Sequence, residues 1–197
     1  MWLNPAWAKT ETVISVWKWW KYLSENPIKV RISKIRRIHP STTDMWAKIS
    51  WNYANSILVS QETKKTWFDE WLLLDTEWFI AEWPGENIFF VKWNEIHTPE
   101  LWTILPWITR NSIINLLKNE FWINVIERKI KPSELWDFDW AFFTWTAAEV
   151  TPIWSITSEA GETFSFNSWN DSLVWKIKTL YWDVVTWKNV KYLDWLF

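Results

Sequence analysis

The chain has no cysteine and only 2 glycines in 197 residues. Absence of cysteine excludes a disulfide framework and thiolate chemistry, and it suits a cytoplasmic setting. The shortage of glycine poses a backbone problem. An ordinary domain carries about 7% glycine, roughly 14 residues at this length. No apolar run approaches the ~18 residues that a membrane-spanning helix needs. The opening MWLNPAWAKTE has no hydrophobic signal core, so it is not expected to be a signal peptide. Excess charge is missing too: 21 basic and 23 acidic residues leave a formal net charge of −2. That balance favours neither nucleic acid nor an acidic membrane as partner. His39 and His97 lack metal-ligand spacing, and no metal is assigned. No fixed-period repeat or low-complexity run is evident, and the length fits one domain.

What is there instead is tryptophan, 24 residues of it. In TWFDEWLLLDTEWFIAEWPGENIFF, Trp67, Trp71, Trp78 and Trp83 are each read at a bend. LLKNEFWINV reads as a helix ending at Phe121, which puts Trp122 at the position after the C-cap, where the backbone turns left-handed and glycine is usual. Trp67 follows a helix in the same way. Trp78 and the Trp93-Asn94 pair fall at hairpin turns that want positive φ. Tryptophan is ill suited there because its Cβ crowds the backbone. A tryptophan-rich binding surface would use a few aromatics on one face and would not also remove glycine from turns. Tryptophan is therefore read as standing for glycine, as when UGA codons that specify glycine are translated as tryptophan. Around twenty such sites, at about 1–3 kcal/mol each, would exceed a domain's stability and leave the literal sequence insoluble or molten.

The coarse pattern alternates strands and helices and argues a mixed α/β domain with much antiparallel sheet. Strands are expected at 12–19, 28–38, 71–75, 78–82, 87–92, 95–98 and within NVIERKI. Helices are expected at 52–65, 109–121 and 170–187, with a short helical turn in KPSELWDFD. WAFFTWTAAEVTPI reads as strand, loop, strand.

With glycine restored at the suspect positions, four segments become motifs. AKISWNY reads AKISGNY, EWPGENIFF reads EGPGENIFF, LPWITRNSII reads LPGITRNSII, and FFTWTAAEVTP reads FFTGTAAEVTP. In this order and spacing the set resembles the class IV, fold-type IV pyridoxal-phosphate aminotransferases, and within them the branched-chain amino acid aminotransferases. The GTAAEVTP form sets that branch apart from the D-amino acid aminotransferases and aminodeoxychorismate lyases, which remain the alternatives alongside a non-catalytic tryptophan-rich binding module. The likeness runs from residue 1 to about 197. Each motif alone is weak; the set is specific.

The resemblance implies a large domain with a pseudo-barrel of strands and flanking helices, and pyridoxal 5'-phosphate as cofactor. It implies amino acid and 2-oxo acid substrates, with 2-oxoglutarate as acceptor, and a homodimer or higher homo-oligomer when complete. Lys48 matches the Schiff-base lysine. Tyr53 matches the tyrosine that bonds the cofactor's phenolic oxygen, and Glu82 the carboxylate facing the pyridine nitrogen. Ile108 and Thr109 match the phosphate-binding helix start. Thr146 and Ala147 match the loop that touches phosphate and substrate carboxylate. Outside the motif, each would read as an ordinary surface, core or capping residue. Glu86 and Asn87 are expected to fix a turn. Trp19 and Trp195 match tryptophans of the family; Trp17 and Trp136 stay unassigned. Trp51, Trp83, Trp107 and Trp145 are expected to fill space that the cofactor needs. Family members carry a smaller N-terminal domain that has no counterpart here, so the chain is expected to be a fragment of a longer protein.

Overall fold

The computed structural model describes residues 8–18, 26–63, 65–170 and 172–196. One mixed sheet of eight strands organises them. In chain order these are β1 (Ile28–Ile32), β2 (Glu70–Leu72), β3 (Asn87–Lys92), β4 (Glu95–Thr98), β5 (Ile126–Glu127), β6 (Trp140–Trp145), β7 (Glu149–Thr157) and β8 (Thr163–Ser165). The three helices are α1 (Tyr53–Thr63), α2 (Ile108–Phe121) and α3 (Leu173–Val185). The strand order is β2-β1-β7-β6-β3-β4-β5, with β8 paired to β7. β1 runs parallel to both β2 and β7, and β4 parallel to β5, while the pairs among β3, β4, β6, β7 and β8 are antiparallel.

Hydrogen bonds outside the ladders bring the two edges round. Leu73 N donates to Glu82 O at 3.0 Å and Ala81 N to Leu73 O at 3.0 Å, and Ile80 N then donates to Ile130 O at 2.8 Å, three residues past β5. The expected pseudo-barrel is thus completed by a hairpin rather than by regular strands. Residues 78–82 accordingly make a single bridge, Leu74 with Ile80, in place of the expected strand.

Period-two alternation sorts the strands into two cores. Ile88 and Phe90 of β3, with Phe143 of β6, face the inner cluster built on β1, β2 and β7. Phe89 and Val91 face the opposite way, with Phe142, against Ile113, Leu116 and Leu117 of α2 and Val174, Ile177 and Tyr181 of α3. The stacked Phe89 and Phe142 rings, 5.0 Å apart, lie between sheet and helices. A third small cluster of Val59, Trp71 and Leu73 sits beneath α1.

Several boundaries differ from the sequence reading. Residues 12–18 carry Val13, Ile14 and Val16 largely in solvent and pair with no strand among the described residues; Trp19 lies outside them. β1 stops at Ile32, although Ser33 N and Arg37 N still bond Leu72 O and Leu74 O at 2.9 and 2.8 Å. β2 and β5 are shorter than expected, and the first helix runs 53–63 after a single 3-10 turn at Ser50–Asn52. β8 was not expected. Trp71 lies inside β2 and is buried, so it is not at a bend.

The reading of the turns holds at Trp78, Trp93 and Trp122 and fails at Trp67. Five non-glycine residues among those described have one, and four are tryptophans: Trp78 (70°), Trp93 (57°), Trp122 (59°) and Trp187 (66°); the fifth is Glu149 (55°). Trp122 is the left-handed cap of α2, with Ile123 N donating to Leu117 O at 3.1 Å. Trp67 sits at a bend past α1, is 98% exposed, and is not among the positive-φ residues. Most other tryptophans project into solvent, among them Trp17, Trp46, Trp51, Trp102 and Trp136. Among the described residues the strained sites are fewer than expected: four tryptophans carry the backbone cost, and exposure spares most of the other described ones from overpacking.

Candidate cofactor site

Four segments meet at one end of the inner core. The first is the turn before α1, which carries Lys48; Asn52 braces it, its Nδ2 donating to Asp44 O (3.0 Å) and Ala47 O (3.1 Å) and its Oδ1 accepting from Thr43 Oγ1 (2.6 Å). Lys48 is exposed, and its Nζ lies 4.5 Å from the centre of the Trp107 ring. Tyr53 opens α1, and its hydroxyl is buried without a hydrogen-bond partner. Burial, then the nearby Glu82 carboxylate, push the phenol above its ordinary value, against a smaller opposing pull from Arg37.

Glu82 is the most constrained group. It is 2% exposed. One oxygen pairs with Arg37 Nη2 at 2.7 Å, and the other accepts from Asn87 Nδ2 at 3.2 Å and Leu105 N at 3.1 Å. Burial raises its pKa to about 7; Arg37 opposes the rise. Asn87, the first residue of β3, also donates to Leu105 O at 3.0 Å, so it does more than fix a turn.

Leu105 leads into the start of α2. Pro106 precedes the helix, and Trp107 caps it with no side-chain hydrogen bond to the free N–H groups. Ile108 is exposed there and Thr109 is buried, its hydroxyl without a hydrogen-bond partner. Unpaired N–H groups and the helix dipole suit an anion. Thr146 and Ala147 occupy the β6–β7 turn, next to Trp145. That indole lies 6.0 Å from Trp107 and 6.3 Å from Trp83. Trp83, Trp107 and Trp145 thus form one cluster, with the Lys48 amine over Trp107 and Tyr53 near Glu82. Trp51 is the exception among the four indoles expected to intrude: it is 73% exposed.

The profile of the amino-transferase class IV family matches residues 5–156. The chain belongs to the class IV aminotransferases. It is 36% identical to the branched-chain-amino-acid aminotransferase of Pseudomonas aeruginosa across 99% of this chain and 63% of that one. Among solved structures it resembles the branched-chain aminotransferase of Thermoproteus uzoniensis with norvaline, at a TM-score of 0.81 and 34% identity over 89% of this chain and 57% of that one. It also resembles the branched-chain amino acid aminotransferase of Thermobaculum terrenum in its PLP-form, at a TM-score of 0.75 and 29% identity over 86% of this chain and 54% of that one. The chain thus spans 54% to 63% of the length of these relatives.

Within this class IV frame the polar residues fit a pyridoxal phosphate. An amine, an unpartnered phenol, a buried carboxylate and an open helix start are the donor set its aldehyde, phenolic oxygen, ring nitrogen and phosphate require. The indoles do not fit. Trp83 folds back so far that a Cβ on Gly85 would lie 2.7 Å from its ring, and Trp107 covers the Lys48 amine. Arg37 and Asn52 escaped the sequence reading. Arg37 lies in no motif, and Asn52, although inside AKISWNY, was given no role, because both act across loops.

Glu86, expected only to fix a turn, is wholly buried with both oxygens unpartnered, and burial and the nearby Glu70 raise its pKa well above the ordinary range. Glu70 rises to about 8, through burial foremost, against the hydrogen bond that Trp83 donates. Neither acid has a cation among its named partners, and no group of His, Cys, Asp or Glu among the described residues is set to hold a metal.

Proposed function

We propose that residues 1–197 are the large cofactor-binding domain of a class IV aminotransferase that transfers the amino group of leucine, isoleucine or valine to 2-oxoglutarate. The observation that carries this reading is the buried Glu82 carboxylate, which accepts from Leu105 N just ahead of α2 and lies near the unpartnered Tyr53 hydroxyl. When bound, pyridoxal phosphate supplies an electron sink for the carbon that loses its proton. Lys48 holds the cofactor through its amine and carries that proton. Glu82, oriented by Arg37, holds a proton on the ring nitrogen, and Tyr53 donates its otherwise unpaired hydroxyl to the phenolic oxygen. Ile108 and Thr109 take the phosphate at the start of α2. Thr146 and Ala147 meet phosphate and substrate carboxylate.

Residues 83, 107 and 145 are glycine in the working enzyme on this reading, which opens the space that three indoles share. The working protein is a homo-oligomer, and the lack of cysteine fits a cytoplasmic setting.

The test uses the full-length protein with glycine at those three positions. Leucine is expected to serve as amino donor and D-alanine not to. Lys48→Ala is expected to abolish turnover and the borohydride-fixed cofactor adduct seen by mass spectrometry. Glu82→Gln is expected to keep the adduct and lower kcat at least tenfold. Full activity in Lys48→Ala overturns the site. D-alanine as the preferred donor moves the protein to another branch of the class.

A further inference from the structure

The hairpin ties the Glu82 main chain to Leu73 N at 3.0 Å but does not orient its carboxylate, whose Oε2 accepts from Asn87 and Leu105 and whose Oε1 meets a third group. That group is Arg37, a residue no motif contains. Its guanidinium is buried, 6% exposed, and reaches three segments. Nη2 pairs with Glu82 Oε1 at 2.7 Å, Nη1 donates to Asn52 O at 3.4 Å, and Nε donates to Thr103 O at 3.4 Å. Thr103 lies in the loop leading to α2. Asn52 in turn grips Asp44, Ala47 and Thr43 ahead of Lys48. Arg37 is itself anchored, its backbone N donating to Leu74 O at 2.8 Å.

We propose that Arg37 is a positioning residue for the aminotransferase reaction: its planar fork holds the Glu82 carboxylate in one orientation and ties it to the Lys48 turn and to the loop before α2. This rests on the function proposed above. The alternative role, stabilisation alone, is poorly supported by physics, because buried ion pairs roughly break even against apolar residues of the same size. A bidentate-capable fork, by contrast, fixes direction as well as charge, which lysine cannot reproduce. The groups that face Glu82 are Arg37, Tyr53, Asn87, the Leu105 N–H and, more remotely, Arg110. Arg37 and Arg110 are the cations among them, and Arg37 is the one in contact. Without Arg37, only the Leu105 N–H and the more remote Arg110 oppose burial, and the carboxyl holds its proton to higher pH.

The test compares Arg37→Met and Arg37→Lys in the full-length protein. The first readout needs no cofactor: the 13C carboxyl titration of Glu82 in the apo protein. Arg37→Met is expected to move the midpoint upward by at least one pH unit. Arg37→Lys is expected to leave it near the parent's. The second readout is kinetic. Arg37→Lys is expected to lower kcat about tenfold with KM within twofold, because charge is kept and orientation lost.

An unchanged Glu82 midpoint in Arg37→Met overturns the proposal. If Arg37→Met does not fold, Arg37→Lys decides: parent-level kcat overturns it, and a kcat loss with unchanged melting temperature upholds it. A shifted midpoint in a protein whose parent does not transaminate leaves the placement of Glu82 standing and removes the functional reading instead.

Discussion

At the scale of the residue, a single dihedral angle separates two kinds of tryptophan. Trp93 and Trp122 are 79% and 88% exposed, so their indoles contribute little burial, yet both sit at positive φ. A side chain there costs roughly 1–2 kcal/mol, and glycine at the same place gives back about 0.5–1 through its looser unfolded state. Trp93→Gly and Trp122→Gly are each expected to raise stability by about 0.5–1 kcal/mol in urea unfolding. Trp67→Gly is expected to give no gain, because Trp67 is as exposed but has no positive φ to relieve. Trp78 is a poorer test, since the Arg36 guanidinium stacks 4.0 Å over its ring and that contact would be lost. The same logic reaches the gene. UGA is expected at the codons for residues 67, 78, 83, 107, 122 and 145, and UGG at 19 and 195. Sequencing the gene checks this, and UGG throughout would sink the glycine reading whatever the stabilities show.

At the scale of the element, α2 shows what a sequence can and cannot reveal. Its span was legible because Pro106 precedes it, its apolar residues recur at helical spacing, and its end is marked by a left-handed residue. β3, β4, β6 and β7 were legible for a similar reason: each is a short apolar run bounded by turn residues that act locally. The parallel pairing of β1 with β2 and β7 was not, because it joins residues far apart in sequence and leaves no local mark. The hairpin at 78–82 reads as a strand because it is a short apolar run after a turn, but its bond to Ile130 accompanies a single bridge rather than a ladder. For the site, the residues given roles were legible through a family resemblance, whereas Arg37 outside the motifs and Asn52 within one bond to main-chain carbonyls that any residue could present. The helix start carries the element-scale prediction. Trp107 is buried at the N-cap and lies against the Lys48 amine. Trp107→Gly is expected to tighten pyridoxal phosphate at least tenfold while leaving the far-ultraviolet circular dichroism unchanged, since the N–H groups of α2 need only access. Equal affinity in both proteins, by fluorescence titration, would show that the phosphate seat lies elsewhere.

At the scale of the whole molecule, buried acids should govern how stability responds to pH. Glu82 and Glu70 rise to about 7 and about 8, and burial takes Glu86 in the same direction. A carboxyl whose folded pKa is raised holds its proton in the native state after the unfolded chain has lost it. Its contribution is therefore full below the unfolded value of 4.5 and is lost as pH climbs through the folded value. Other groups act outside this window or against it. Glu77, Glu120 and Glu134 are held below 4.5 by Lys129, Lys191 and the Lys131 N–H and Arg128 respectively, so they matter only in acid. Burial lowers His97, which makes stability rise with pH, but only up to the ordinary imidazole value of 6.5. Lys129 and Lys191 are raised above 10.5 and act in alkali alone. Between pH 6.5 and 8 the acids stand unopposed. The apo protein is expected to lose about 2–4 kcal/mol over that interval, read from urea midpoints at fixed ionic strength. Glu70→Gln should flatten the upper half of the fall, because a neutral amide in that place has no proton to lose. Trp83→Gly should steepen it, since the hydrogen bond that holds Glu70 down goes with the indole. A profile flat from 6.5 to 8 in the parent, or one that Glu70→Gln leaves unaltered, would mean that water reaches these carboxyls and that the acids do not sit in the dry interior the fold assigns them.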